Sequence, residues 1–343
     1  MAKISGGNTS TALSLAKTGF TTIIQDLTII GGNATNGGGI NITKGTVKLT
    51  DGAKITGNIA TNGGGVYVGS DGTLFMSGKA LIGDSATSTT RASSSGASYY
   101  ANKATNGAGI YNNGAASIKS NEAVLTGGAI SNNGTLTMSA GTIGSADGLN
   151  SVTSNVGGAI YQNGKFTISG SAQVYSGTGV GEKQNDVYLA SGKTVTAGVF
   201  ETGGNSSSIP MVITPYSWTR GSTAVTAATG VTLDATKLKC FKMSDEDWSV
   251  VLHSSAGKIN APVYVASDAS SDGFNVCTGL GSDTDGTGSR AKPYATIAKA
   301  LSKAWDTSKT SDLTIKIAFA FLLTMVMGGV HWYSIFFYDR SFI

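Results

Sequence analysis

Between Gly32 and about Tyr175 apolar and polar residues alternate in short bursts, and the bursts can be laid on top of one another. GTVKL (Gly45 to Leu49), GTLFM (Gly72 to Met76), GAASI (Gly114 to Ile118), GTLTM (Gly134 to Met138) and GKFTI (Gly164 to Ile168) align without gaps. They give one apolar column of Val47, Leu74, Ala116, Leu136 and Phe166, and a second of Leu49, Met76, Ile118, Met138 and Ile168. Lys48, Phe75, Ser117, Thr137 and Thr167 stand between them, so the period is two, as in a strand with one buried face. A third column, Ile40, Val66, Ile110, Ile130 and Ile160, belongs to a shorter strand just before. Each large side chain fully buried contributes about 1.5–3 kcal/mol, so three such columns predict a continuous, narrow core.

The segment leading into each pair of strands repeats as well. GNATNGGGI (Gly32 to Ile40) returns as GNIATNGGGV (Gly57 to Val66) and ANKATNGAGI (Ala101 to Ile110), then as LTGGAI (Leu125 to Ile130) and NVGGAI (Asn155 to Ile160). The glycines suit a corner where the backbone needs positive φ or close approach to the next turn. Asn36, Asn62 and Asn106 recur at one place, as amides bonded along a stack would. The triplets begin at Gly37, Gly63, Gly107, Gly127 and Gly157, with steps of 26, 44, 20 and 30. The 44-residue step holds an 18-residue Ser/Thr/Ala-rich insertion, about Asp84 to Ala101, and the 30-residue step a similar loop near Ser145 to Ser151. Coils of 20–26 residues with loops let out of a corner predict an all-β chain folded as a right-handed parallel β-helix, a solenoid whose repeats bury their apolar side only against neighbours. The competing fold is an antiparallel sandwich, since Asn113-Gly114 and Asn133-Gly134 are also hairpin signals. Hairpins leave the five matching columns unexplained.

Organisation follows from where the pattern stops. Residues 1–190 read as solenoid repeats. Residues 191–262 hold short strand-like runs separated by Gly, Ser, Asn and Pro, and read as an irregular β cap or extension, with Trp218 and Trp248 in its core. Over 263–316, VYVAS (Val263 to Ser267) leads to a Gly/Asp-rich loop and a short helical pattern, with Pro293 near its start and Ile297, Leu301 and Ala304 on one side. Residues 317–343 form a hydrophobic tail. Within it Ile317 to Tyr338 carries no Asp, Glu, Lys or Arg, and as a helix it would span about 33 Å, enough for a bilayer core. Trp332 and Tyr333 near one end fit interfacial anchors. The tail is read either as a membrane anchor or as foreign material where further coils belong.

The glycine motifs GGAI (Gly127 to Ile130 and Gly157 to Ile160), GGGI and GGGV resemble those of bacterial right-handed β-helix surface proteins, namely polymorphic outer-membrane proteins and adhesin passengers. The companion motif Phe-x-x-Asn is absent. Residues 263–316 resemble the opening of pectate-lyase-like β-helices, where a short helix plugs the first coil. The resemblance implies a displayed stalk or adhesive surface at the bacterial cell surface or in secreted form. Met1 to Thr35 lacks the features of a secretory signal, and TTIIQDLTII (Thr21 to Ile30) reads as strand, so the chain is expected to begin inside a coil.

Composition narrows the chemistry. The 343 residues include 49 Gly and 4 Pro, with 13% charged and 40% hydrophobic, which is not a disordered composition. The formal charge of +4 is spread thinly, with no Lys/Arg cluster, and nucleic-acid binding is not expected. Polysaccharide lyase or hydrolase chemistry is the enzyme alternative, but Asp51, Asp71, Asp84, Glu122 and Asp147 share no column, and His253 and His331 lie outside the repeats. Asp268, Asp272, Asp283 and Asp285 are the densest carboxylates, yet they lack a full calcium-ligand series and suit turn chemistry better, so neither metal nor cofactor is expected. Cys240 and Cys277 are too few for a disulfide framework. The candidate binding residues are Tyr67, Tyr111 and Tyr161, each following the inward Ile or Val of the first strand, with Asn41 and Ser131 in the same column. They would form a broken aromatic stripe for a host or matrix protein or glycan, or else pack only against each other. The expected function is a non-catalytic, adhesin-like repeat protein, with a purely structural stalk as the third reading.

Overall fold

The computed structural model describes residues 2–83, 102–118, 124–125, 130–144, 157–175, 185–201, 204–207, 210–245, 248–261, 263–265, 282–285, 292–296, 298–299, 315–317, 322–327 and 330–335. They fall into two units, Met1–Ile259 and Asn260–Ile343. The first is a parallel β-solenoid of about seven turns, one for each strand of its seven-stranded sheet.

One coil shows how the sequence winds. Leu27–Ile30 lies in the seven-stranded sheet, Asn33–Asn36 is a short strand of a three-stranded sheet, and Ile40–Leu49 carries both strands of the repeat before Lys54–Ile55 starts the next coil beside Leu27–Ile30. Successive coils pair in parallel with the predicted alignment. Ile40 stands beside Val66, Val66 beside Ile110, then Ile130 and Ile160, all wholly buried. Val47, Leu74, Ala116, Leu136 and Phe166 stand in the same parallel register, as do Leu49, Met76, Ile118, Met138 and Ile168. The side chains between them point out, because alternate residues of a strand face opposite ways. The result is a core only a few side chains across.

A third wall was not visible in the hydrophobic pattern. Its members after the first two strands are only two residues long: Lys54–Ile55, Leu81–Ile82, Val124–Leu125, Thr142–Ile143 and Gln173–Val174. Four of these strands place one large apolar residue on the inside, where Ile55, Ile82, Ile143 and Val174 are fully buried. Two residues are too few for any periodicity to register.

Past residue 190 the ladders continue. Val187–Leu189, Met211–Pro215 and Phe241–Met243 extend the first-strand ladder in parallel, with Ile160, Val187, Ile213 and Met243 as one buried column. Val195–Phe200 and Thr223–Ala227 extend the other. The stack then ends by reversal: Thr223 and Val225 pair antiparallel with Lys258 and Gly257. The helix Ala235–Leu238 is capped by Asp234, whose carboxylate accepts from the Lys237 amide at 2.7 Å, and it places Leu238 in the core. Trp218 and Trp248 pack on each other with centroids 5.3 Å apart and planes tilted by 49°, against the same core.

In the second unit Val263–Val265 pairs in parallel with Ile315–Ile317, and Val265 bridges Tyr294. Of the amphipathic segment after Pro293, residues 298–299 are helical and Leu301 and Ala304 lie outside the described residues. The hydrophobic tail departs from its helical reading: Leu322–Met327 and Val330–Ile335 are antiparallel strands. The β-branched and aromatic residues of Val330–Ile335 favour strand, and that local preference outweighs the uninterrupted hydropathy. Among the described residues no helix is long and apolar enough to cross a membrane.

Candidate functional site

The middle residue of each first strand must face outward, because its two neighbours are held in the core or in the turn. Parallel register therefore builds a column of Asn41, Tyr67, Tyr111, Ser131, Tyr161, Tyr188 and Thr214, one per coil. Strands stacked about 4.8 Å apart bring adjacent rings into face contact. Tyr67 and Tyr111 lie with centroids 5.6 Å apart and planes within 6°. Tyr161 stacks instead on Tyr188, at 5.4 Å and 21°. The three tyrosines expected as one broken stripe thus belong to two separate stacks, with buried Ser131 between them. Tyr188 was missed although its signal was present, since VYL at Val187 to Leu189 repeats the inward-Tyr-inward order of IYN and IYQ. The Asn113 amide donates to the Tyr67 hydroxyl at 3.4 Å, and Tyr161 is 38% exposed. Burial, and then the neighbouring phenols of Tyr161 and Tyr216, push the ionisation of Tyr188 upward.

Amide ladders hold this face in register. Asn106 Nδ2 donates to Asn62 Oδ1 at 2.8 Å, and Asn62 Nδ2 to Asn36 Oδ1 at 3.0 Å, which is the stack the repeats implied. A second ladder lies buried directly after the tyrosine column: Asn112 Nδ2 donates to Asn132 Oδ1 at 2.8 Å, and Asn132 Nδ2 to Gln162 Oε1 at 2.7 Å. Asn58 and Asn102 add a third, each accepting a backbone N–H from the preceding coil, at Gly32 and at Asn58. Asp186 does the same for Gly158 at 2.9 Å, and burial pushes its carboxyl pKa upward.

The turn between the two strands of a coil changes along the stack. It is two residues in the coils of Asn133-Gly134 and Asn163-Gly164, five at 190–194, and seven at 216–222. The wide turns stand apart and leave a cleft of about 510 Å³ between them, lined by both turns and by Thr223, Thr226 and Ile259. Tyr216, at its edge, is 65% exposed.

The remaining candidates serve structure or fall outside the described residues. Asp51 accepts the Lys79 amide of the next coil at 2.8 Å, and Asp71 lies beside Lys44 in the strand register. Asp84, Glu122, Asp147, Asp268, Asp272 and Cys277 lie outside the described residues. Asp283 accepts from the amides of Ala295 and Thr296 and from the Thr296 hydroxyl, which hold its pKa down and make it a turn and cap residue. His253 lies in Ser249–His253, which is not a strand of the column, and His331 in Val330–Ile335 of the second unit. Cys240 is a buried thiol whose ionisation is pushed up by burial and by Asp234. Among the described residues no group of three or more His, Cys, Asp or Glu converges as metal ligands would. Comparison with protein families, with curated proteins and with solved structures finds no match to this chain.

Proposed function

We propose that this chain is a non-catalytic binding solenoid of the bacterial surface-adhesin type, whose tyrosine face engages a host or matrix protein or glycan. The single observation that carries the reading is the outward column in which Tyr67 stacks on Tyr111 and Tyr161 on Tyr188. Rings ordered at strand spacing lose little side-chain entropy on binding and offer broad apolar area with a polar tip, the combination favoured at recognition surfaces. Buried amides directly behind the column fix its spacing, so the platform is rigid before any ligand arrives. Display at a cell surface, whether or not Ile317 to Tyr338 takes part in attachment, belongs to the same reading.

The test is adherence of beads coated with the full chain to cultured-cell matrix. A variant with Tyr67, Tyr111, Tyr161 and Tyr188 all replaced by Ser is expected to lose most adherence while its circular dichroism stays that of a β protein. Full retention of adherence in that variant would sink the reading.

A further inference from the structure

We propose that the cleft between the turns 190–194 and 216–222 is a binding site for an acidic oligosaccharide, with Lys193 meeting the anionic group and Tyr216 stacking on a sugar face. The proposal names a ligand class for the surface-binding reading and in that sense rests on it. Its residues are distinct from the Tyr67 and Tyr111 stack, however, so either can fail alone.

The cleft exists because two successive coils abandon the two-residue Asn-Gly turn for turns of five and seven residues. A purely structural coil gains nothing from longer turns, each of which adds loop-closure entropy. At about 510 Å³ the space lies within the ~300–1,000 Å³ of small-molecule sites. Its floor is apolar, from Leu189, Pro215 and Ile259, and its walls carry hydroxyls at Ser191, Thr194, Ser217, Ser222, Thr223 and Thr226. Short hydroxyls that both donate and accept suit the vicinal hydroxyls of a sugar. An exposed phenol ring at the edge supplies the flat surface on which the C–H face of a sugar rests.

Charge fixes the subclass. Lys193 lines the cleft, and Lys258 reaches it by donating to the Thr223 hydroxyl. No Asp or Glu is among the lining residues, and neither ammonium has a carboxylate partner among the described residues. A lining cation, and a second bonded to a lining hydroxyl, with no acid in the lining favour a carboxylated or sulfated glycan over a neutral one. The lining holds no Arg fork of the kind that grips a phosphate in two places, which argues against a phosphopeptide.

Isothermal titration at 0.15 M salt decides the matter, with the full chain and three probes: a hyaluronan hexasaccharide, a heparin-derived hexasaccharide and neutral maltohexaose. Binding of one or both acidic probes, and not of maltohexaose, is expected. Lys193→Ala and Tyr216→Ser should each weaken it about tenfold. The remote Lys103→Ala should leave it unchanged. The two acidic probes separate a carboxylate requirement from a sulfate requirement. The proposal is overturned if neither acidic probe binds, if maltohexaose binds as well, or if Lys103→Ala weakens binding as much as Lys193→Ala. Because Tyr216 is mostly exposed, its replacement does not threaten the fold, and unchanged circular dichroism of each variant verifies that.

Discussion

Asn132 answers to three partners at once. Its Oδ1 accepts from Asn112, and its Nδ2 donates both to Gln162 and to the Lys165 carbonyl at 2.9 Å, all away from water. Each buried polar group left unpaired costs about 1–3 kcal/mol, whereas a partly exposed amide can turn to solvent. Asn132→Ala should therefore lower stability by about 2–4 kcal/mol, and Asn62→Ala, in the outer ladder, by less than about 1 kcal/mol. Urea unfolding of the two variants measures the difference. The outer ladder was legible because Asn36, Asn62 and Asn106 sit inside a repeated string. The inner one was not, because Gln162 breaks the residue identity and the sequence alone does not say that the residue after the tyrosine turns inward. Tyr188 escaped although VYL carries the signal, because it lies past the last glycine triplet; the break in the stripe was legible, since Ser131 stands in the column.

At the level of the coil, the corner glycine is the element most fully specified by its neighbours. Gly63 has φ +65°, and a Cβ there would lie 2.2 Å from the Val66 carbonyl oxygen, so backbone and not a flexible side chain stands in the way. Gly230 has φ +77° with nothing within 4 Å. Placing an L-residue in the left-handed region costs about 1–2 kcal/mol by itself. Gly230→Ala should cost no more than that, while Gly63→Ala should cost clearly more, and thermal unfolding monitored by circular dichroism at 218 nm distinguishes them. The glycine triplets announced the corners, and the period-two columns announced two of the walls. The two-residue wall at Lys54–Ile55 and its successors escaped notice, because a strand that short is defined by the coil that carries it. The cleft escaped for a related reason: it is made by turn lengths, and a longer turn reads in sequence only as a weaker repeat.

On the scale of the solenoid, each coil contacts only the coils above and below, so stability is a sum along one axis. Residues 56–82 make up one full 27-residue coil, since Ile55 and Ile82 are partners in the register. Their removal joins Ile55 to Gly83 and keeps every column continuous, so the shortened protein should fold to a β solenoid with one coil fewer. Removal of 57–69 alone stops halfway round and sends the next strand to the wrong wall. Size-exclusion and circular dichroism of the two deletions should show a compact β protein for the first and an unfolded or aggregated one for the second.

Every inter-coil hydrogen bond of the solenoid runs along the stacking direction, while each strand lies across it. Tension on the chain therefore loads those bonds a few at a time and not side by side. The molecule would pay out from an end like thread from a spool, one coil per step, each releasing about 90 Å of extended chain for 26 residues at ~3.4 Å. Such a body would yield at modest force yet lengthen many times over before it gives way, taking up load as it unwinds.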